Sequence, residues 1–374
     1  MKKKLFVFIP AFETGGVEKN AVFFANSLLS EGYEVSVIYC RKVDGQFSKL
    51  DDGVKKIKVR RLPNLPLVHE RIIDAVSMLI FGYLKLRIKS KHSVLVGFQS
   101  NVVAIILAKL LKVRSIVRLS NHYKSISYEN SFIRKGSEYL KKKVYKYADI
   151  IIANSQELAA DYSILLDQTV QTVYNPIDLI AIGKQKYKVP DEAVYQDKKL
   201  PILLSVGRLA KQKNFEFLIN SFHKAQEKLN MRLVIVGEGD QRGGLEKLIR
   251  ALSLEGKVFL IGHRNNTCDY YKHSDLFVLS SYYEGMPNAL IEAIAYKCPS
   301  VSTNIKTGPK EILLNGKGGD LVELGNVREL SEKIVENIKN RLEAKNKNLA
   351  AYNNLDIFSS IRTINSYVKM IDSL

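Results

Sequence analysis

The chain has 374 residues, of which 46% are hydrophobic and 25% are charged. This composition is that of a globular protein and excludes a disordered or collagen-like chain, and the length favours two domains. The formal net charge is +19, with +14 in residues 1–199 and +5 in residues 200–374, which suits nucleotides, polyanions or anionic lipids as partners. Three scattered cysteines are too few for a disulfide framework or a zinc cluster and fit a reduced cytosolic setting.

The N-terminal sequence is only weakly similar to a secretory signal. Its apolar run is short, and Pro10 and Glu13 interrupt it. The later apolar stretches at 72–84 and 94–111 contain polar or charged residues and fall short of the roughly 20 apolar residues that a spanning helix needs. We therefore expect a buried first strand and no transmembrane segment.

Strands and helices alternate along the first half of the chain. A turn with two glycines at 13–16 follows the first predicted strand, and a helix over 17–30 then ends at Gly32. The predicted strands cover residues 5–12, 33–40, 57–62, 94–98, 115–119, 150–153 and 172–174. This alternation is typical of a parallel, doubly wound sheet.

A polar interval at 184–200 interrupts the alternation, which then starts again. Further strands are predicted at 201–208, 232–236, 258–261, 276–279 and 300–303, and helices at 215–228, 244–254 and 288–296. Residues 326–374 have a helical pattern. We therefore predict an α/β fold with two doubly wound domains and a linker near 180–200.

Gly15 and Gly16 lie between the first strand and the first helix. Glycine there lets a phosphate approach the backbone, and the helix N-terminus supplies N–H donors. The sequence has neither a G-x-G-x-x-G motif nor a Walker lysine at this point, so an ordinary tight turn explains these residues equally well.

Two cations, Arg208 and Lys213, follow the strand predicted at 201–208. Doubly wound sheets bind ligands beyond the carboxyl ends of their strands, where two cations would suit a diphosphate. A solvated basic loop is the alternative interpretation.

Two carboxylates follow the strand predicted at 276–279. Glu284 lies in a Gly-Pro turn, and Glu292 lies in the otherwise apolar helix that comes next. A carboxylate in such surroundings needs a hydrogen-bonding or charged partner, and this pair could accept hydrogen bonds from sugar hydroxyls. A capping carboxylate and a structural ion pair are the alternatives.

With these segments the chain resembles retaining glycosyltransferases of the GT4 type, which have two Rossmann-like domains facing a cleft (the GT-B fold). The resemblance rests on GGVEKNAVFFANSLLSEGYEVSVI near the start and, in the second half, on VGRLAKQKNFEFLINSF, LVIVGEGDQRGGLEKLI, VFLIGH, DLFVLSSYYEGMPNALIEAIAYKCPSVST and GPKEILLNGKGGDLV. It implies an acceptor-binding domain at 1–182, a nucleotide-sugar-binding domain at 183–355, and a C-terminal helix at 356–374 that packs back on the first domain.

The resemblance also implies roles for single residues. Arg208 and Lys213 match the family's pair on the donor diphosphate. Glu284 matches the carboxylate near the transferred sugar, and Glu292 matches the residue on the ribose hydroxyls. The further matches are the backbone of Gly285, Met286, Pro287 and Asn288 for sugar and phosphate, Gly16 beside Gly15 for the phosphate, and His122 near the acceptor. A surface histidine is the alternative for that last position.

The implied reaction uses no metal ion and no separate cofactor. Because the chain has no D-x-D motif, we expect Arg208 and Lys213 to stabilise the leaving phosphate in place of a divalent ion. The resemblance implies that the anomeric configuration is retained and that the leaving phosphate takes the acceptor proton. Similarity to bacterial members favours a UDP-sugar donor, often an N-acetylhexosamine, and a lipid-linked or surface-polysaccharide acceptor.

Three other functions are open at this point. A nucleotide-sugar epimerase can share the fold but needs further acid–base groups. A nucleic-acid-binding protein would explain the charge, but the chain lacks zinc, helix-turn-helix and RNP-type signatures, so we expect no nucleic-acid partner. A non-catalytic binder of nucleotide sugars is disfavoured because both cations and both glutamates are present.

The densest basic segment is residues 133–147, IRKGSEYLKKKVYKY, in the domain expected to bind the acceptor. As a helix it places Ile133, Leu140, Val144 and Tyr147 on one face. The other positions carry Arg134, Lys135, Lys141, Lys142, Lys143 and Lys146. Since each cation near an anionic leaflet contributes about 1 kcal/mol, we expect a cytoplasmic enzyme held on the inner face of the cytoplasmic membrane. A solvated helix face is the alternative.

Overall fold

A computed structural model describes residues 3–12, 15–42, 45–64, 68–86, 92–120, 139–197 and 199–374. The chain divides into two compact units. Unit 1 consists of Met1–Pro176 and Ser360–Leu374, and unit 2 consists of Ile177–Ser359. The boundaries expected from the sequence lie between residues 182 and 183 and between residues 355 and 356. In the structure the Ile177 N–H donates to the Phe358 carbonyl over 2.8 Å, so the two ends of unit 2 are paired with each other.

Unit 1 is built on a seven-stranded parallel sheet. The strands of this unit are β1 Lys4–Phe8, β2 Ala11–Phe12, β3 Glu34–Tyr39, β4 Arg41–Lys42, β5 Lys55–Lys58, β6 Ser93–Gly97, β7 Arg114–Leu119, β8 Ile150–Ala153 and β9 Val170–Thr172. The order in the large sheet is β5-β3-β1-β6-β7-β8-β9. Its central strands are buried on both faces, which explains their continuous apolar sequences.

Helices cover both faces of this sheet. They are α1 Gly16–Ser30, α2 Glu70–Leu86, α3 Asn101–Leu111, α4 Gln156–Leu166 and the C-terminal helix Ser360–Ser373, and residues 139–145 are helical as well. Phe24 of α1 and Tyr367 of the C-terminal helix belong to one core cluster. Met78 of α2, Leu107 of α3 and Leu158 of α4 belong to the other. The α/β class predicted from the alternation is confirmed.

The predicted first strand, 5–12, is wrong in one respect, because it is two strands. Pro10 lies between β1 and β2 and has no N–H to give to a strand partner. Its carbonyl instead accepts hydrogen bonds from the N–H groups of Cys40 and Arg41, at 3.0 and 3.1 Å. The chain beyond Pro10 therefore leaves the large sheet, and β2 pairs with β4 in a separate two-stranded ribbon.

The C-terminal helix completes the core of unit 1. The rings of Tyr367 and Phe24 lie 4.7 Å apart in an edge-to-face contact. Near the end of the helix, the Tyr33 hydroxyl donates to Asp372 Oδ1 over 2.7 Å, and Lys3 Nζ donates to the Ile371 carbonyl over 2.7 Å. These contacts join the last described residues to α1, β1 and the start of β3.

Unit 2 is built on a six-stranded parallel sheet. Its strands are β10 Ile202–Val206, β11 Arg232–Val236, β12 Val258–Gly262, β13 Leu276–Leu279, β14 Ser300–Thr303 and β15 Asp320–Val322, in the order β12-β11-β10-β13-β14-β15. Its helices are α5 Leu179–Lys184, α6 Ala193–Gln196, α7 Phe215–Gln226, α8 Arg242–Ala251, α9 Thr267–His273, α10 Asn288–Ala295, α11 Pro309–Ile312, α12 Val327–Lys339 and α13 Arg341–Asn353.

The predicted linker near 180–200 is wrong for the residues that the structure describes there. Its polar composition comes from exposed positions, while Val194 and Tyr195 of α6 are buried in unit 2. The Tyr195 ring lies 5.5 Å from the ring of Tyr270. Arg264 Nε donates to Glu192 Oε1 over 2.9 Å. This stretch is therefore part of the fold of unit 2.

The structure describes residues 139–147 of the basic segment, and Ile133, Arg134 and Lys135 lie outside the described residues. The predicted apolar face is wrong in this part. Leu140 and Tyr147 are exposed, and the buried side chain is that of Tyr145. The helix ends at residue 145, so Tyr147 does not continue the face on which Val144 packs.

Within the described ranges, no helix combines the length and the apolar character needed to cross a membrane. Cys40, Cys268 and Cys298 are free thiols, and all three are buried. Burial raises the pKa of the Cys40 thiol to about 12, which suppresses the reactive thiolate form.

Candidate active site

Two loops of unit 2 begin at the same edge of its sheet. Residues 207–214 follow β10, and residues 280–287 follow β13. The two strands are parallel neighbours, so their carboxyl ends lie side by side. This topology brings together the predicted site residues Lys213 and Glu284, which are 71 positions apart in the chain.

Hydrogen bonds join these two loops. Ser280 Oγ donates to the Lys213 carbonyl over 2.8 Å. The Tyr282 N–H donates to the Gln212 carbonyl over 2.9 Å, and Gln212 Nε2 donates to the Tyr283 carbonyl over the same distance. The backbone on either side of Lys213 is thereby fixed relative to the loop that carries Glu284.

The Glu284 carboxylate is buried and held by three donors. Lys213 Nζ lies 2.6 Å from Oε1, and Ser281 Oγ donates to the same oxygen over 2.7 Å. Gln212 Nε2 approaches Oε2 at 3.4 Å. An ammonium has three N–H donors, so Lys213 can hold Glu284 and still donate to a bound anion.

The turn after Glu284 is closely packed. Gly285, Met286 and Pro287 are buried, and α10 begins at Asn288. The first N–H groups of a helix have no acceptor within the helix, and they attract anions. The turn and the start of α10 can therefore present donors to a phosphate beside Lys213.

A second segment of unit 2, Thr307–Gly308, packs against this turn. The Thr307 hydroxyl donates to the Glu284 carbonyl. Gly308 has φ of +93°, and a Cβ atom at this position would lie 2.6 Å from Pro287 Cδ and 2.9 Å from the Gly285 carbonyl oxygen. Only glycine combines this backbone conformation with so close an approach.

Glu292 lies on α10, about one helical turn after its first residue, Asn288. The hydroxyl of Tyr271, from α9, donates to Glu292 Oε2 over 3.3 Å. The Tyr271 ring is stacked on Tyr296 with the centroids 5.6 Å apart. Burial and, after it, the nearby Glu292 carboxylate raise the pKa of Tyr271 well above its usual value. The phenol is therefore a permanent donor to Glu292 at neutral pH.

Arg208 is exposed at the end of β10. The next residue, Leu209, is fully buried, and its N–H donates to the Glu238 carbonyl over 2.9 Å. This anchor fixes the backbone of the loop while the Arg208 side chain stays in solvent. The structure therefore joins Lys213 to Glu284 and leaves Arg208 at the surface of the same loop.

Gly15 and Gly16 are exposed in unit 1, where Gly15 precedes α1 and Gly16 is its first residue. The buried Glu18 carboxylate lies against Gly15, since a Cβ on Gly15 would be 2.6 Å from Glu18 Oε2. Gln99 Nε2 donates to the other oxygen of Glu18 over 2.7 Å. The buried carboxylate of Glu18 therefore lies beside the phosphate contact predicted at Gly15 and Gly16. The glycine pair alone gave no indication of this carboxylate. His122 lies outside the described residues.

Sequence reasoning missed several residues that support the candidate site. Gln212 directly precedes Lys213, and Ser281 comes three positions before Glu284. This closeness in sequence to predicted site residues is the only sign of their role that the sequence offers. Tyr271 carries no local signal, because its contact with Glu292 depends on the packing of α9 against α10.

The arrangement combines cations, N–H donors and carboxylates at one edge of unit 2. Lys213, Arg208 and the start of α10 can hold an anionic group, and Glu284 and Glu292 can accept hydrogen bonds from hydroxyls. Among the residues that the structure describes, no three histidine, cysteine or acidic side chains are grouped as metal ligands.

Two family models match the chain, one in each half. The model described as Glycosyltransferase Family 4 matches residues 14–180, and the model described as Glycosyl transferases group 1 matches residues 191–354. HepE of Anabaena, in a crystal structure with UDP-glucose, is similar with a TM-score of 0.80 over 100% of both chains at 17% identity. The fold is therefore that of the GT-B glycosyltransferases. The chain belongs to the GT4-type family of these proteins.

Curated relatives match a shorter stretch. An uncharacterized glycosyltransferase of Methanocaldococcus jannaschii is 35% identical over 220 residues, which cover 54% of this chain and 54% of the relative. The N-acetylgalactosamine-N,N'-diacetylbacillosaminyl-diphospho-undecaprenol 4-alpha-N-acetylgalactosaminyltransferase of Campylobacter jejuni is 36% identical over 226 residues, which cover 59% of this chain and 60% of the relative. The matched part thus spans little more than half the length of either relative.

Proposed function

We propose that the protein is a retaining glycosyltransferase that moves a hexosyl or N-acetylhexosaminyl group from a UDP-sugar to a lipid-linked or surface-polysaccharide acceptor. One observation carries the proposal. Lys213, Glu284 and the start of α10 lie together at the carboxyl ends of β10 and β13. A cation, a carboxylate and helix N–H groups at this edge suit the phosphates and hydroxyls of a nucleotide sugar.

Each part of the donor has a partner in this proposal. Lys213 and Arg208 bind the diphosphate, together with the backbone N–H groups of residues 285–288. Glu284 accepts a hydrogen bond from a hydroxyl of the transferred sugar. Glu292 accepts hydrogen bonds from the ribose hydroxyls, and Tyr271 orients it. Gly15, Gly16 and His122 stay predicted contacts.

The proposed reaction breaks the bond between the anomeric carbon and the β-phosphate oxygen. A bond to the acceptor oxygen forms on the same face of the sugar, and the acceptor proton passes to the departing phosphate. The products are UDP and a glycoside with unchanged anomeric configuration. Negative charge develops on the phosphate, and the fixed cations and N–H groups stabilise it. The proposal therefore includes no metal ion.

Two of the compared proteins support the substrate classes. The Campylobacter jejuni relative is named as an N-acetylgalactosaminyltransferase acting on a diphospho-undecaprenol-linked saccharide. HepE was crystallised in complex with UDP-glucose. These names favour a UDP-sugar over other nucleotide sugars and a lipid-linked acceptor over a soluble one.

We also propose peripheral attachment to the inner face of the cytoplasmic membrane through the basic segment, residues 133–147. In its described part, Lys143 Nζ lies 5.0 Å from the ring centroid of Tyr139, and Lys146 Nζ lies 5.0 Å from that of Tyr147. Both rings are exposed. An exposed aromatic ring with an ammonium beside it suits the boundary between lipid head groups and hydrocarbon.

The test is incubation of the purified protein with UDP-glucose, UDP-N-acetylglucosamine and UDP-N-acetylgalactosamine, each with and without an undecaprenyl-diphosphate-linked saccharide. We expect one donor to release UDP and extend the acceptor, with the α configuration of the donor preserved in the product by NMR. The Glu284→Gln variant is the control for contaminating activity. An epimerised sugar nucleotide without transfer would favour the epimerase, and inversion of the anomeric centre would contradict the retaining mechanism.

A further inference from the structure

The outward face of α2 is apolar along almost its whole length. Between positions 72 and 84 every exposed residue is aliphatic. These residues follow each other at intervals of four: Ile72, Val76, Ile80 and Leu84, with exposures of 57%, 40%, 45% and 51%. At 1.5 Å per residue they form a ridge about 18 Å long on one side of the helix. We call these four residues the α2 ridge.

The opposite side of α2 packs into the hydrophobic core of unit 1. Met78 and Leu86 belong to the core cluster on this face of the sheet, and Ser77 Oγ accepts a hydrogen bond from the Leu62 N–H over 2.9 Å. A helix that is apolar on its packed side and on its outward side resembles helices buried on all sides. Contiguous apolar surface of this kind marks a contact with a membrane or another protein.

Cations border the α2 ridge. The Arg60 guanidinium lies 5.7 Å from the ring centroid of Phe81, on α2. At the end of the helix, Lys85 Nζ donates to the carbonyl of Lys58, over 2.7 Å. Arg60, Lys58 and Lys85 are all exposed. Because Lys58 belongs to β5, the edge strand of the sheet, positive charge extends from the end of the ridge along that edge.

Two arginines, Arg41 and Arg61, together compensate the charges of the two carboxylates of α2. Asp74 is buried between Arg61 Nε at 2.6 Å and Arg41 Nε at 3.3 Å. Glu70, at the start of the helix, lies 3.7 Å from Arg41 Nη1. Neither carboxylate therefore presents an uncompensated negative charge beside the ridge.

The α2 ridge belongs to a helix on the same face of the sheet as the described part of the basic segment. Side chains of α2, of α3 and of residues 139–145 belong to one core cluster, which includes Met78, Leu107 and Tyr145. Outward from this layer, α3 exposes Leu110 between Lys109 and the nearby Lys112. On this face of the sheet, α2 and α3 therefore both expose aliphatic side chains near cations.

We propose that the α2 ridge inserts into the interfacial region of an anionic lipid bilayer, with Arg60, Lys58 and Lys85 on the lipid head groups. An apolar helix face with a basic border is the pattern of helices that lie in the membrane interface. A second copy of the chain is the competing occupant, but pairing of two α2 ridges would bring the same cations against each other. Insertion of the α2 ridge would bring the enzyme close to a lipid-linked acceptor in the same membrane. This benefit rests on the proposed function.

The chain contains no tryptophan, so a single substitution provides a unique fluorescent probe. We expect the emission of Ile80→Trp to shift to shorter wavelength on addition of vesicles of equimolar phosphatidylglycerol and phosphatidylethanolamine, and to be quenched by brominated lipid. The matched control is Ile361→Trp, which replaces an aliphatic residue of 60% exposure in the helix that covers the opposite face of the sheet. Its emission should not change.

A second pair of variants measures the contribution of the ridge. Val76→Asp with Ile80→Asp should lower the affinity for the anionic vesicles by about tenfold or more in co-sedimentation, and Ile361→Asp should not. Circular dichroism and UDP binding should be unchanged in both, because these side chains point away from the core. Replacing Lys141, Lys142, Lys143 and Lys146 by Gln tests the basic segment separately.

Three results would overturn the proposal. Unchanged Ile80→Trp emission with anionic vesicles would exclude insertion. An equal shift with phosphatidylcholine vesicles would exclude a role for the cations. A shift without lipid, together with a dimer in analytical ultracentrifugation, would assign the ridge to a second copy. None of these measurements uses sugar transfer, so a failure of the proposed function leaves them intact.

Discussion

Lys213 has two tasks in the proposed function, since it holds the buried Glu284 at 2.6 Å and binds the donor diphosphate. We predict that Lys213→Ala and Arg208→Ala each lower turnover about 100- to 1,000-fold, as expected for loss of a charge-stabilising donor. Only Lys213→Ala should also lower the melting temperature, because it leaves a buried carboxylate without its cation. Turnover assays and differential scanning calorimetry measure the two effects.

Lys211→Ala is the matched control for this pair. Lys211 lies in the same short turn as Lys213 and is exposed. Its removal changes the net charge by the same amount without touching Glu284. Equal losses in all three variants would mean that the general charge of the loop matters, and near-normal turnover in both Arg208→Ala and Lys213→Ala would remove the pair from the mechanism.

The two glutamates should separate sugar binding from nucleotide binding. Glu292→Gln should weaken binding of both UDP and the UDP-sugar, because it loses the charged acceptor for the ribose hydroxyls. Glu284→Gln should spare UDP and weaken only the UDP-sugar. Isothermal titration calorimetry with both ligands decides the question, and the opposite pattern would exchange the two roles.

Tyr271 gives a finer test of the proposed ribose site. Tyr271→Phe removes the α9 hydroxyl that donates to Glu292 Oε2 over 3.3 Å. A loss of about 1 kcal/mol, or about fivefold in UDP affinity, is expected for a hydrogen bond that only orients the carboxylate. Tyr270→Phe is the control, since its hydroxyl donates to Glu192. An equal loss in both variants would indicate a general disturbance of α9.

At the residue scale, the sequence predicts the positions of charged residues best where they come soon after a strand. Glu284 and Lys213 each come within eight positions of a buried strand, so their place at the sheet edge was predictable. Their contact with each other was not, because it depends on which strands are neighbours in the sheet. The same limit applies to Glu18, whose position against Gly15 is set by side-chain packing around Gln99.

Among the secondary-structure elements and their connections, the segment Thr307–Gly308, which packs against the turn of the candidate site, is suited to a backbone test. Gly308→Ala should destabilise the protein by well over 1 kcal/mol, because it combines a φ of +93° with a Cβ only 2.6 Å from Pro287 Cδ. It should also weaken UDP-sugar binding, since the turn must move. Thermal unfolding and calorimetric titration measure both effects.

Gly316 provides a control for backbone conformation alone. Its φ is +95°, and no heavy atom lies within 4 Å of a Cβ built on it. Gly316→Ala should therefore cost about 1 kcal/mol and leave UDP-sugar binding unchanged. Equal destabilisation in the two variants would show that the close approach at Pro287 contributes nothing.

Buried strands were the most predictable elements. The strands predicted at 150–153, 232–236, 276–279 and 300–303 are confirmed to the residue. The first three are largely apolar runs, whereas the fourth, SVST, is fully buried although three of its four side chains carry a hydroxyl. β15 was missed because it has only three residues and follows a glycine pair. The interval at 184–200 was misjudged because a few buried side chains, such as Tyr195, are sufficient to anchor a polar segment.

For the molecule as a whole, the proposal implies catalysis by fixed cations alone. We predict that turnover at saturating donor survives treatment with EDTA, because Arg208 and Lys213 supply the positive charge that a divalent ion would otherwise bring to the phosphates. The measurement compares UDP release before and after chelation. Loss of turnover that Mg²⁺ or Mn²⁺ restores would contradict this electrostatic assignment.

The composition of unit 1 from two separate stretches of chain affects how the protein is made. Residues 360–374 are translated after every residue of unit 2, yet they supply Tyr367 and Ile371 to the core around α1. At about 5–20 residues per second, the ribosome needs roughly 10–40 s to translate unit 2. During that time α1 already covers part of this face of the first sheet, but the apolar surface that the C-terminal helix will cover stays exposed to chaperones and to aggregation. The unit that begins first along the chain is therefore the last to be completed.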